Sequence, residues 1–266
     1  MPGLSREEFC ELERKALAGE ASEQELATLE PYRAKRAVLL ASGFGSRMLP
    51  VTETCPKPLV RVNGRRIIDT LLDALVAAGI EEIWIVRGYL GECFDELLVD
   101  YPQIRFIDNP DYATTNNISS ALLAVEHMRD AYVFESDLFL KNPALISRYQ
   151  YESNYLGVPV ERTEDWCFSC DEQLLITDLK RGGEKCWHMY GISYWTAADG
   201  EQLARDIPRE FAASAETQQR FWDDVPCVLC NSSYRLRVRE CSFSDIDEID
   251  SFDELCSIDA SYESLR

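Results

Sequence analysis

The sequence predicts an α/β protein in which a mostly parallel mixed sheet has helices on both faces. Three observations lead to this prediction. The 266 residues are 46% hydrophobic, which is enough apolar material for one large core. Apolar runs alternate with helix-periodic segments between residues 37 and 135, an order typical of parallel sheets covered by helices. After residue 142 the segments become shorter and richer in aromatic residues, which indicates further strands of the same sheet.

A short helical extension is predicted at residues 1–33, ahead of the main domain at residues 34–266. Ser5 is followed three residues later by Glu8, which is a capping-box pattern, and a broken apolar stripe continues after it. This segment is too small to bury a core of its own. The main domain begins with an apolar run at residues 37–41 that leads into a glycine loop, as a buried parallel strand would.

The remaining elements follow from periodicity and from turn residues. Strands are predicted at residues 83–86, 104–107 and 131–135, and helices at 67–78, 94–99 and 118–128. The second half is predicted to form strands at residues 155–159, 166–170, 174–179 and 188–195. A helix at residues 197–211 and another after Ser251 complete the chain.

The charge of the chain limits its partners. The sequence has 47 acidic and 27 basic residues, a net charge of −20, which disfavours nucleic acid and anionic membrane surfaces. No apolar run approaches the roughly 18 residues of a membrane span, and the first residues lack a signal-peptide core. We therefore expect a cytoplasmic protein with no nucleic-acid or membrane partner, which binds phosphates through a local basic site.

Ten cysteines occur without the regular spacing of a disulfide scaffold, so we expect reduced thiols. Two CxxC pairs, Cys167 with Cys170 and Cys227 with Cys230, could supply four zinc ligands. Both pairs lie in stretches that resemble strands, where residues three apart point to opposite faces. The sequence therefore favours structural cysteines over a zinc site.

A glycine loop carries the strongest functional signal. It consists of GFGSRMLPVT at residues 43–52, followed by PKPLV at residues 56–60. Gly43 and Gly45 allow the backbone to approach a ligand and to direct N–H groups at phosphate oxygens. Arg47 and Lys57 add local positive charge. The loop therefore predicts a phosphate site.

This ordered string resembles the signature of the nucleotidyltransferase superfamily, whose members activate sugars or alcohol phosphates as nucleotide conjugates. The resemblance covers residues 36–259 and implies a Rossmann-like sheet of the nucleotide-diphospho-sugar transferase type. It implies that Gly43, Gly45 and Arg47 hold the triphosphate and that Lys57 neutralises charge at the α-phosphate. Ser42 stands where the family usually has alanine, and we include it in the nucleotide-binding loop.

Two amide side chains lie at the start of the predicted helix at residues 118–128. Asn116 and Asn117 either cap this helix or contact the nucleotide or the acceptor, since they lie beside the ligand edge of the sheet. We include Asn117 among the candidate nucleotide-binding residues, with capping as the alternative.

Acidic residues indicate a magnesium site. Asp137 follows an apolar strand, and Glu248 and Asp250 alternate along a strand near the end of the chain. Mg²⁺ needs only one or two carboxylates together with substrate phosphates. The resemblance implies that Asp137 and Asp250 bind Mg²⁺, with Glu248 close by, so that the catalytic set is Arg47, Lys57, Asp137 and Asp250. Alternatively, or in addition, these acids precede a helix capped by Ser251.

Aromatic residues with acidic neighbours mark the second half and suggest an acceptor site. The candidate residues are Asp165, Trp166, Tyr190, Trp195, Trp222 and Asp223. Aromatic faces and carboxylates suit a quaternary ammonium group, whereas core packing is the alternative on composition alone. The strings NNISS at residues 116–120, GISYW at 191–195, WD at 222–223 and EIDS at 248–251 resemble bacterial CTP:phosphocholine cytidylyltransferases.

The resemblance therefore implies a Mg²⁺-dependent enzyme that converts CTP and phosphocholine to CDP-choline and pyrophosphate. Three alternatives remain open: 2-aminoethylphosphonate as the acceptor, a sugar 1-phosphate as the acceptor, or a non-catalytic nucleotide-binding regulator. A homodimer is the candidate assembly.

Overall fold

A seven-stranded mixed sheet forms the centre of the molecule in a computed structural model that describes residues 3–266. The strands are β1 (Arg36–Ala41), β2 (Arg61–Val62), β3 (Arg65–Arg66), β4 (Glu82–Arg87), β5 (Ile104–Asp108), β6 (Ala131–Glu135), β7 (Leu138–Leu140), β8 (Asn154–Cys170), β9 (Ile176–Trp195), β10 (Arg237–Glu240) and β11 (Ile246–Glu248). The order in the large sheet is β10-β8-β9-β6-β1-β4-β5. Within this sheet, as described for residues 3–266, β9 runs antiparallel to its neighbours β6 and β8, and the other pairs are parallel. The pairs β2–β3 and β7–β11 form two small antiparallel sheets. The predicted fold class is confirmed.

Seven α-helices accompany the sheet in the described part of the chain. They are α1 (Arg6–Leu17), α2 (Glu23–Leu29), α3 (Ile67–Ala77), α4 (Leu97–Asp100), α5 (Ile118–Ala124), α6 (Ala197–Ala213) and α7 (Phe252–Ile258). The predictions for α3, α6 and α7 are confirmed, and Ser251 caps α7 in a capping box with Glu254. None of the helices in residues 3–266 is both long and apolar enough to cross a membrane.

Two predicted helices are shorter than expected. The prediction at residues 94–99 is wrong for its first half, because Gly91–Glu96 forms 3₁₀ turns and only α4 follows. At residues 118–128, α5 ends at Ala124 and a 3₁₀ turn at Val125–His127 replaces its last part. A run of so few residues has little helical stability of its own, and 3₁₀ turns commonly finish such segments.

Alternate residues of β1 face two separate cores. Ala37 and Leu39 pack in the core that includes α3, whereas Val38 and Leu40 pack in the core that includes α5 and α6. A strand that is covered on both faces is apolar throughout, which explains the continuous run in the sequence. The helices therefore lie on both faces of the sheet, and the carboxyl ends of β1 and β6 meet at one edge.

A long hairpin of β8 and β9 replaces the four short strands predicted between residues 155 and 195. The two strands have 17 and 20 residues, and shifts of register interrupt their pairing instead of turns. Cys167 lies opposite both Lys180 and His188, so the second half of β8 is placed between two stretches of β9. Trp166 lies directly opposite Arg181 in the same hairpin.

The helical extension packs against the main domain through Phe9. The Phe9 ring lies 5.2 Å from the Tyr32 ring and 5.4 Å from the Tyr151 ring. Glu13 on α1 also accepts a hydrogen bond from the Ser147 hydroxyl. The capping box of Ser5 and Glu8 at the start of α1 is confirmed.

The two CxxC pairs do not form a metal site. Within residues 3–266, the one group of three or more potential ligand side chains that come together consists of carboxylates. The strand expected around Cys227 and Cys230 is wrong, because Val225–Leu229 forms a helical turn. Cys167, Cys227 and Cys230 are buried, as structural cysteines are, and Cys170 is half-buried.

Candidate active site

A cavity of about 590 Å³ opens where the carboxyl ends of β1 and β6 meet. The two strands pair in parallel with Leu40 opposite Glu135, so the loops that follow them lie side by side. The Ser136 hydroxyl donates a hydrogen bond of 2.7 Å to the Leu40 carbonyl and joins these loops. Ligands of open α/β sheets bind at this edge.

The glycine loop forms one side of the cavity, and its conformation explains the signature residues. Gly45 has a φ of 62°, and a Cβ there would lie 3.0 Å from Lys57 Cβ and 3.2 Å from Thr52 Cγ2. The Thr52 hydroxyl donates a hydrogen bond of 2.9 Å to the Gly45 carbonyl. Around Gly43 there is open space within 4 Å, which leaves its backbone accessible to a ligand. The threonine and the lysine of the signature therefore enclose its second glycine.

Ser42 connects this loop to the start of α5. Its hydroxyl lies 2.7 Å from the Ser120 hydroxyl, and Asn109 Nδ2 donates to Ser120 at 2.9 Å. All three side chains are buried. Ser42 borders the cavity, and its side chain supports the loop through this network.

Lys57 lies between two carboxylates from distant parts of the sequence. Its Nζ is 2.9 Å from Asp137 Oδ2 and 2.8 Å from Asp250 Oδ1. Burial alone would lower the pKa of Lys57, but the charges of Asp137 and Asp250 hold that pKa above its ordinary value. Arg47, which is largely exposed, adds a second ion pair of 2.8 Å to Asp250 Oδ1. Although burial opposes it, these two cations lower the pKa of Asp250. The structure thus brings together Arg47, Lys57, Asp137 and Asp250.

Three carboxylates form a cluster beside Lys57: Glu135, Asp137 and Glu248. Each offers an oxygen, and these oxygens lie within 4.8 Å of one another. Burial first, and then the charges of Asp137 and Asp250, raise the pKa of Glu248 to about 9. Burial and the neighbouring charges also raise the pKa of Glu135 well above its ordinary value. Asp137 Oδ1 is buried without a hydrogen-bond partner.

Strand pairing assembles this carboxylate cluster. The short strand β11 pairs with β7, which places Glu248 opposite Leu138, and the Ile249 N–H donates to the Asp137 carbonyl. An unpartnered buried oxygen and three oxygen donors at close range suit a divalent cation such as Mg²⁺. The structure differs from the expected metal set in one respect. Glu135 joins Asp137 and Glu248, whereas Asp250 is paired with Lys57 and Arg47.

Three of the six predicted acceptor residues line the cavity: Asp165, Trp166 and Asp223. The Trp166 ring lies 5.4 Å from the Phe221 ring at an angle of 69°, so the two rings form a corner. Burial raises the pKa of Asp223 to about 7, even though the Tyr155 hydroxyl donates to its carboxylate. Asp224, also on the cavity wall, is held by Arg220 at 3.4 Å.

The prediction is wrong for Tyr190, Trp195 and Trp222, which belong to the cores and not to the cavity wall. Trp195 is fully buried and packs at 5.7 Å from Trp222, which is 2% exposed. The buried Tyr190 hydroxyl donates to the Ile246 carbonyl. Tyr190 and Trp195 lie on β9, which is covered on both faces, so these side chains fill the two cores. Trp222 lies outside β9 and packs in the same core as Trp195.

Asn117 lies on the cavity wall, and its side chain also joins two other segments of the chain. Its Nδ2 donates to Glu135 Oε1 at 3.3 Å, and its Oδ1 accepts from the Trp222 N–H at 2.8 Å. It makes no side-chain capping bond to α5. Asn117 lines the cavity and joins the carboxylate cluster to the segment that carries Asp223.

Sequence reasoning missed several residues of the cavity wall, among them Tyr112, Glu135, Arg181, Phe221 and Asp224. Glu135 stands two residues before Asp137, at the end of the same apolar run, which was a usable signal. Gly191 was another, because a Cβ at this position would lie 2.6 Å from Glu135 Oε2. No comparable signal marks Arg181 or Phe221 in the sequence.

Comparisons with known proteins agree with this geometry. The family model described as "Nucleotidyl transferase" matches residues 36–153. The chain is 36% identical to a 2-aminoethylphosphonate cytidylyltransferase from Lancefieldella rimae, over 86% of this chain and 94% of that relative. It is 32% identical to a choline-phosphate cytidylyltransferase from Streptococcus pneumoniae, over 71% of this chain and 82% of the relative.

A solved structure extends the agreement to the whole fold. The CTP:phosphocholine cytidylyltransferase from Streptococcus pneumoniae superposes with a TM-score of 0.77 at 30% sequence identity, covering 88% of this chain and 100% of that one. The glycine loop, its lysine and the acidic residues at the sheet edge thus occur in a chain similar to these enzymes over most of its length. The protein belongs to the nucleotidyl transferase family, and within it to the cytidylyltransferases.

Proposed function

We propose that this protein is a Mg²⁺-dependent cytidylyltransferase that transfers CMP from CTP to 2-aminoethylphosphonate and releases pyrophosphate. The observation that carries the choice of acceptor is the composition of the cavity wall. Of the three tryptophans that the sequence suggested for an acceptor site, only Trp166 lies on this wall, whereas seven carboxylates do. Phosphocholine, expected from the sequence, becomes the second candidate.

The chemistry of the two cations separates these acceptors. A primary ammonium donates up to three hydrogen bonds and is best held by oxygen acceptors, whereas a quaternary ammonium has no N–H and depends on aromatic faces. Asp223 and Asp224 lie on the cavity wall next to Phe221. A bound ammonium would favour the ionised form of Asp223, which burial disfavours. The relative from Lancefieldella rimae, named for 2-aminoethylphosphonate, supports the same choice.

The reaction needs no protein nucleophile. A phosphonate oxygen of the acceptor attacks the α-phosphorus of CTP, the bond from this phosphorus to the bridging oxygen breaks, and pyrophosphate leaves. Catalysis then consists of aligning two anions and compensating their charge. The backbone at Gly43 is open to the triphosphate, and Arg47 and Lys57 can direct their charges at it from their present positions beside Asp250.

The carboxylate cluster of Glu135, Asp137 and Glu248 would hold the magnesium ion together with Asp250, whose second oxygen is not engaged by Lys57 or Arg47. When bound, the ion would compensate the charge of the phosphates. The residues around it keep their roles in this arrangement. Lys57 remains protonated between the two aspartates, and Asn117 holds Glu135 in place.

The second candidate, phosphocholine, is favoured by a specific feature. Trp166 and Phe221 form an aromatic corner on the cavity wall, and such a corner can bind a trimethylammonium group by cation–π contact. The similarity to the choline-phosphate enzyme of Streptococcus pneumoniae supports it as well. Binding of 2-aminoethylphosphonate should therefore depend more on Asp224 than on Trp166, whereas binding of phosphocholine should depend more on Trp166 than on Asp224.

A panel of pyrophosphate-release assays tests the proposal. Each nucleoside triphosphate is combined with 2-aminoethylphosphonate, phosphocholine or glucose 1-phosphate, with Mg²⁺ and after its removal by a chelator. We expect kcat/KM with CTP to be at least about 10-fold higher for 2-aminoethylphosphonate than for phosphocholine, a difference of about 1.4 kcal/mol. Activity should be lost with the chelator and return with Mg²⁺.

Two variants check the assignment of the ammonium site. Asp224→Asn should raise the KM for 2-aminoethylphosphonate by about 10-fold, because one charged hydrogen-bond acceptor is lost, whereas Trp166→Ala should change it far less. The reverse order, together with a preference for phosphocholine, would establish the second candidate. CTP binding without pyrophosphate release from any acceptor would instead indicate a non-catalytic regulator.

A further inference from the structure

Arg181 differs from the other cations of the cavity because it has no anionic partner. Among residues 3–266, three basic residues line the cavity wall. Two of them form ion pairs: Lys57 with Asp137 and Asp250, and Arg47 with Asp250. Within residues 3–266, the side chain of Arg181 makes neither an ion pair nor a hydrogen bond, and the residue is exposed. Arg181 is therefore the basic residue of the cavity wall whose charge no side chain of residues 3–266 neutralises by an ion pair.

The position of Arg181 in the hairpin shows which part of the cavity wall this residue belongs to. Arg181 lies directly opposite Trp166 on the antiparallel strands β8 and β9, so the two side chains share one face of the hairpin. Asp165, the preceding residue, is near enough to Glu248 to interact with it electrostatically. This wall therefore adjoins the carboxylate cluster, where the reacting phosphorus atoms must meet.

The balance of charge around the acceptor requires such a cation. Seven carboxylates line the cavity: Glu135, Asp137, Asp165, Asp223, Asp224, Glu248 and Asp250. An acceptor whose phosphonate or phosphate carries up to two negative charges must approach this acidic wall and also a triphosphate. Lys57 and Arg47 lie beside the glycine loop, on the side of the nucleotide. A planar guanidinium can bind two oxygens of such a group at once.

We propose that Arg181 binds the phosphonate or phosphate group of the acceptor and determines specificity for an acceptor with this anionic group. This inference rests on the proposed transferase reaction, but not on which ammonium the acceptor carries, because 2-aminoethylphosphonate and phosphocholine share the anionic end. Arg181 acts by contacting the acceptor, and it leaves the nucleotide to Arg47, Lys57 and the glycine loop.

The test compares Arg181→Gln, Arg181→Lys and the control Lys180→Gln by steady-state kinetics. Lys180 is exposed, adjacent in sequence and absent from the cavity wall, so it matches the change of charge without the contact. We expect Arg181→Gln to raise the KM of the acceptor by about 10- to 100-fold, as loss of a charge-assisted hydrogen bond does, and to leave the KM of CTP within about twofold. Arg181→Lys should recover part of the loss, since lysine keeps the charge without the planar fork.

Further measurements keep the inference falsifiable. The acceptor used is whichever of 2-aminoethylphosphonate and phosphocholine the wild-type protein prefers, so a failure of the proposed acceptor does not affect the result. Thermal melting of Arg181→Gln should match the wild type, since the side chain supports no described contact. Equal rises in the KM of CTP and acceptor, or no rise in either, would overturn the inference.

A third acceptor tests whether Arg181 binds a carboxylate instead of the phosphonate. The compound 2-amino-3-phosphonopropionate adds a carboxylate to 2-aminoethylphosphonate. If the wild type prefers the carboxylated compound, and Arg181→Gln removes only that preference, Arg181 binds the carboxylate and the inference is wrong. If Arg181→Gln weakens both compounds to the same extent, the arginine binds the phosphonate that they share.

Discussion

Asp223 is the acidic residue of the cavity whose burial has the clearest consequence for stability. It is 3% exposed, and the Tyr155 hydroxyl donates to its Oδ1 at 2.6 Å. No basic side chain in residues 3–266 forms an ion pair with it. Burial raises its pKa from 3.8 to about 7, so the folded protein holds a proton on this carboxyl that the unfolded chain has already released at neutral pH. The protein thus loses stability when Asp223 ionises.

The sign of this effect can be tested with Asp223→Asn. Between the unfolded pKa near 3.8 and the folded pKa of about 7, the native state binds more protons, so wild-type stability falls as pH rises through this window. The variant has no such loss. We expect Asp223→Asn to be more stable than the wild type at pH 8 by a few kcal/mol, since a pKa difference of one corresponds to about 1.4 kcal/mol. The difference should disappear near pH 4.

Urea unfolding between pH 4 and pH 9 measures this difference. Asp178→Asn is the control, because Asp178 is half-buried and lies outside the cavity wall. An Asp223→Asn protein that is less stable than the wild type at pH 8 would show that the carboxylate is held by a cation within the folded chain.

At the scale of elements, the pairing of β6 with β9 decides where Glu135 points. Phe134 lies opposite Ile192, so Gly191 comes next to Glu135 at the end of the pair. A Cβ on residue 191 would lie 2.6 Å from both the Cγ and the Oε2 of Glu135. Because Gly191 has no side chain, the Glu135 carboxylate has room to reach the carboxylate cluster.

Gly191→Ala should displace Glu135 and impair the metal site while the sheet stays intact. We expect activity to fall by about 10- to 100-fold, as it does when a group that orients metal ligands is disturbed, with a higher Mg²⁺ concentration needed for half-maximal rate. Steady-state kinetics over a Mg²⁺ titration measures both quantities. Gly91→Ala is the control, since a Cβ there would meet its nearest atom, in Arg87, at 3.4 Å.

A second-site change sharpens this experiment. Glu135→Asp shortens the displaced side chain, so Gly191→Ala combined with Glu135→Asp should recover part of the lost activity. Wild-type kinetics in Gly191→Ala alone would mean that Glu135 has no role in the cluster.

The elements also show what the sequence could predict and what it could not. Runs such as residues 37–41 predict buried strands because a strand covered on both faces is uniformly apolar. The same property hides which core a large residue enters, so the sequence around Trp195 does not show that this side chain packs in a core and not at the acceptor site. The glycine loop was predictable, because Gly45, Thr52 and Lys57 lie near one another in both sequence and space. Arg181 was not, since only a register shift in the long hairpin brings it opposite Trp166.

For the whole molecule, the N-terminal extension is joined to the main domain at a small aromatic contact. Phe9, Leu29 and Tyr149 form a separate buried cluster, apart from the cores that flank the sheet. The cavity receives no residue from α1 or α2. The extension therefore adds contacts to the main domain without adding to the chemistry.

Phe9→Ala should detach the extension and leave catalysis unchanged. Truncation of a buried phenylalanine costs about 3 to 5 kcal/mol, which is enough to open a pair of short helices held by one cluster. We expect faster proteolysis between α1 and α2, near residues 18–22, with kcat and both KM values within about twofold of the wild type. Leu17→Ala, on the same helix but 69% exposed, is the control. A large loss of activity would show that the extension supports the cavity.

The boundary between the two halves of the cavity has a consequence for how its wall can vary. The match to the family model ends at residue 153, and β8 begins at Asn154, so the long hairpin lies outside the segment that this model matches. The matched segment supplies the glycine loop, Lys57 and Asp137, whereas Trp166 and Arg181 come from the hairpin. Changes within the hairpin therefore alter the part of the wall that carries Trp166 and Arg181 and leave the sequence of the glycine loop, Lys57 and Asp137 untouched. The two sides of one cavity can thus vary independently in sequence.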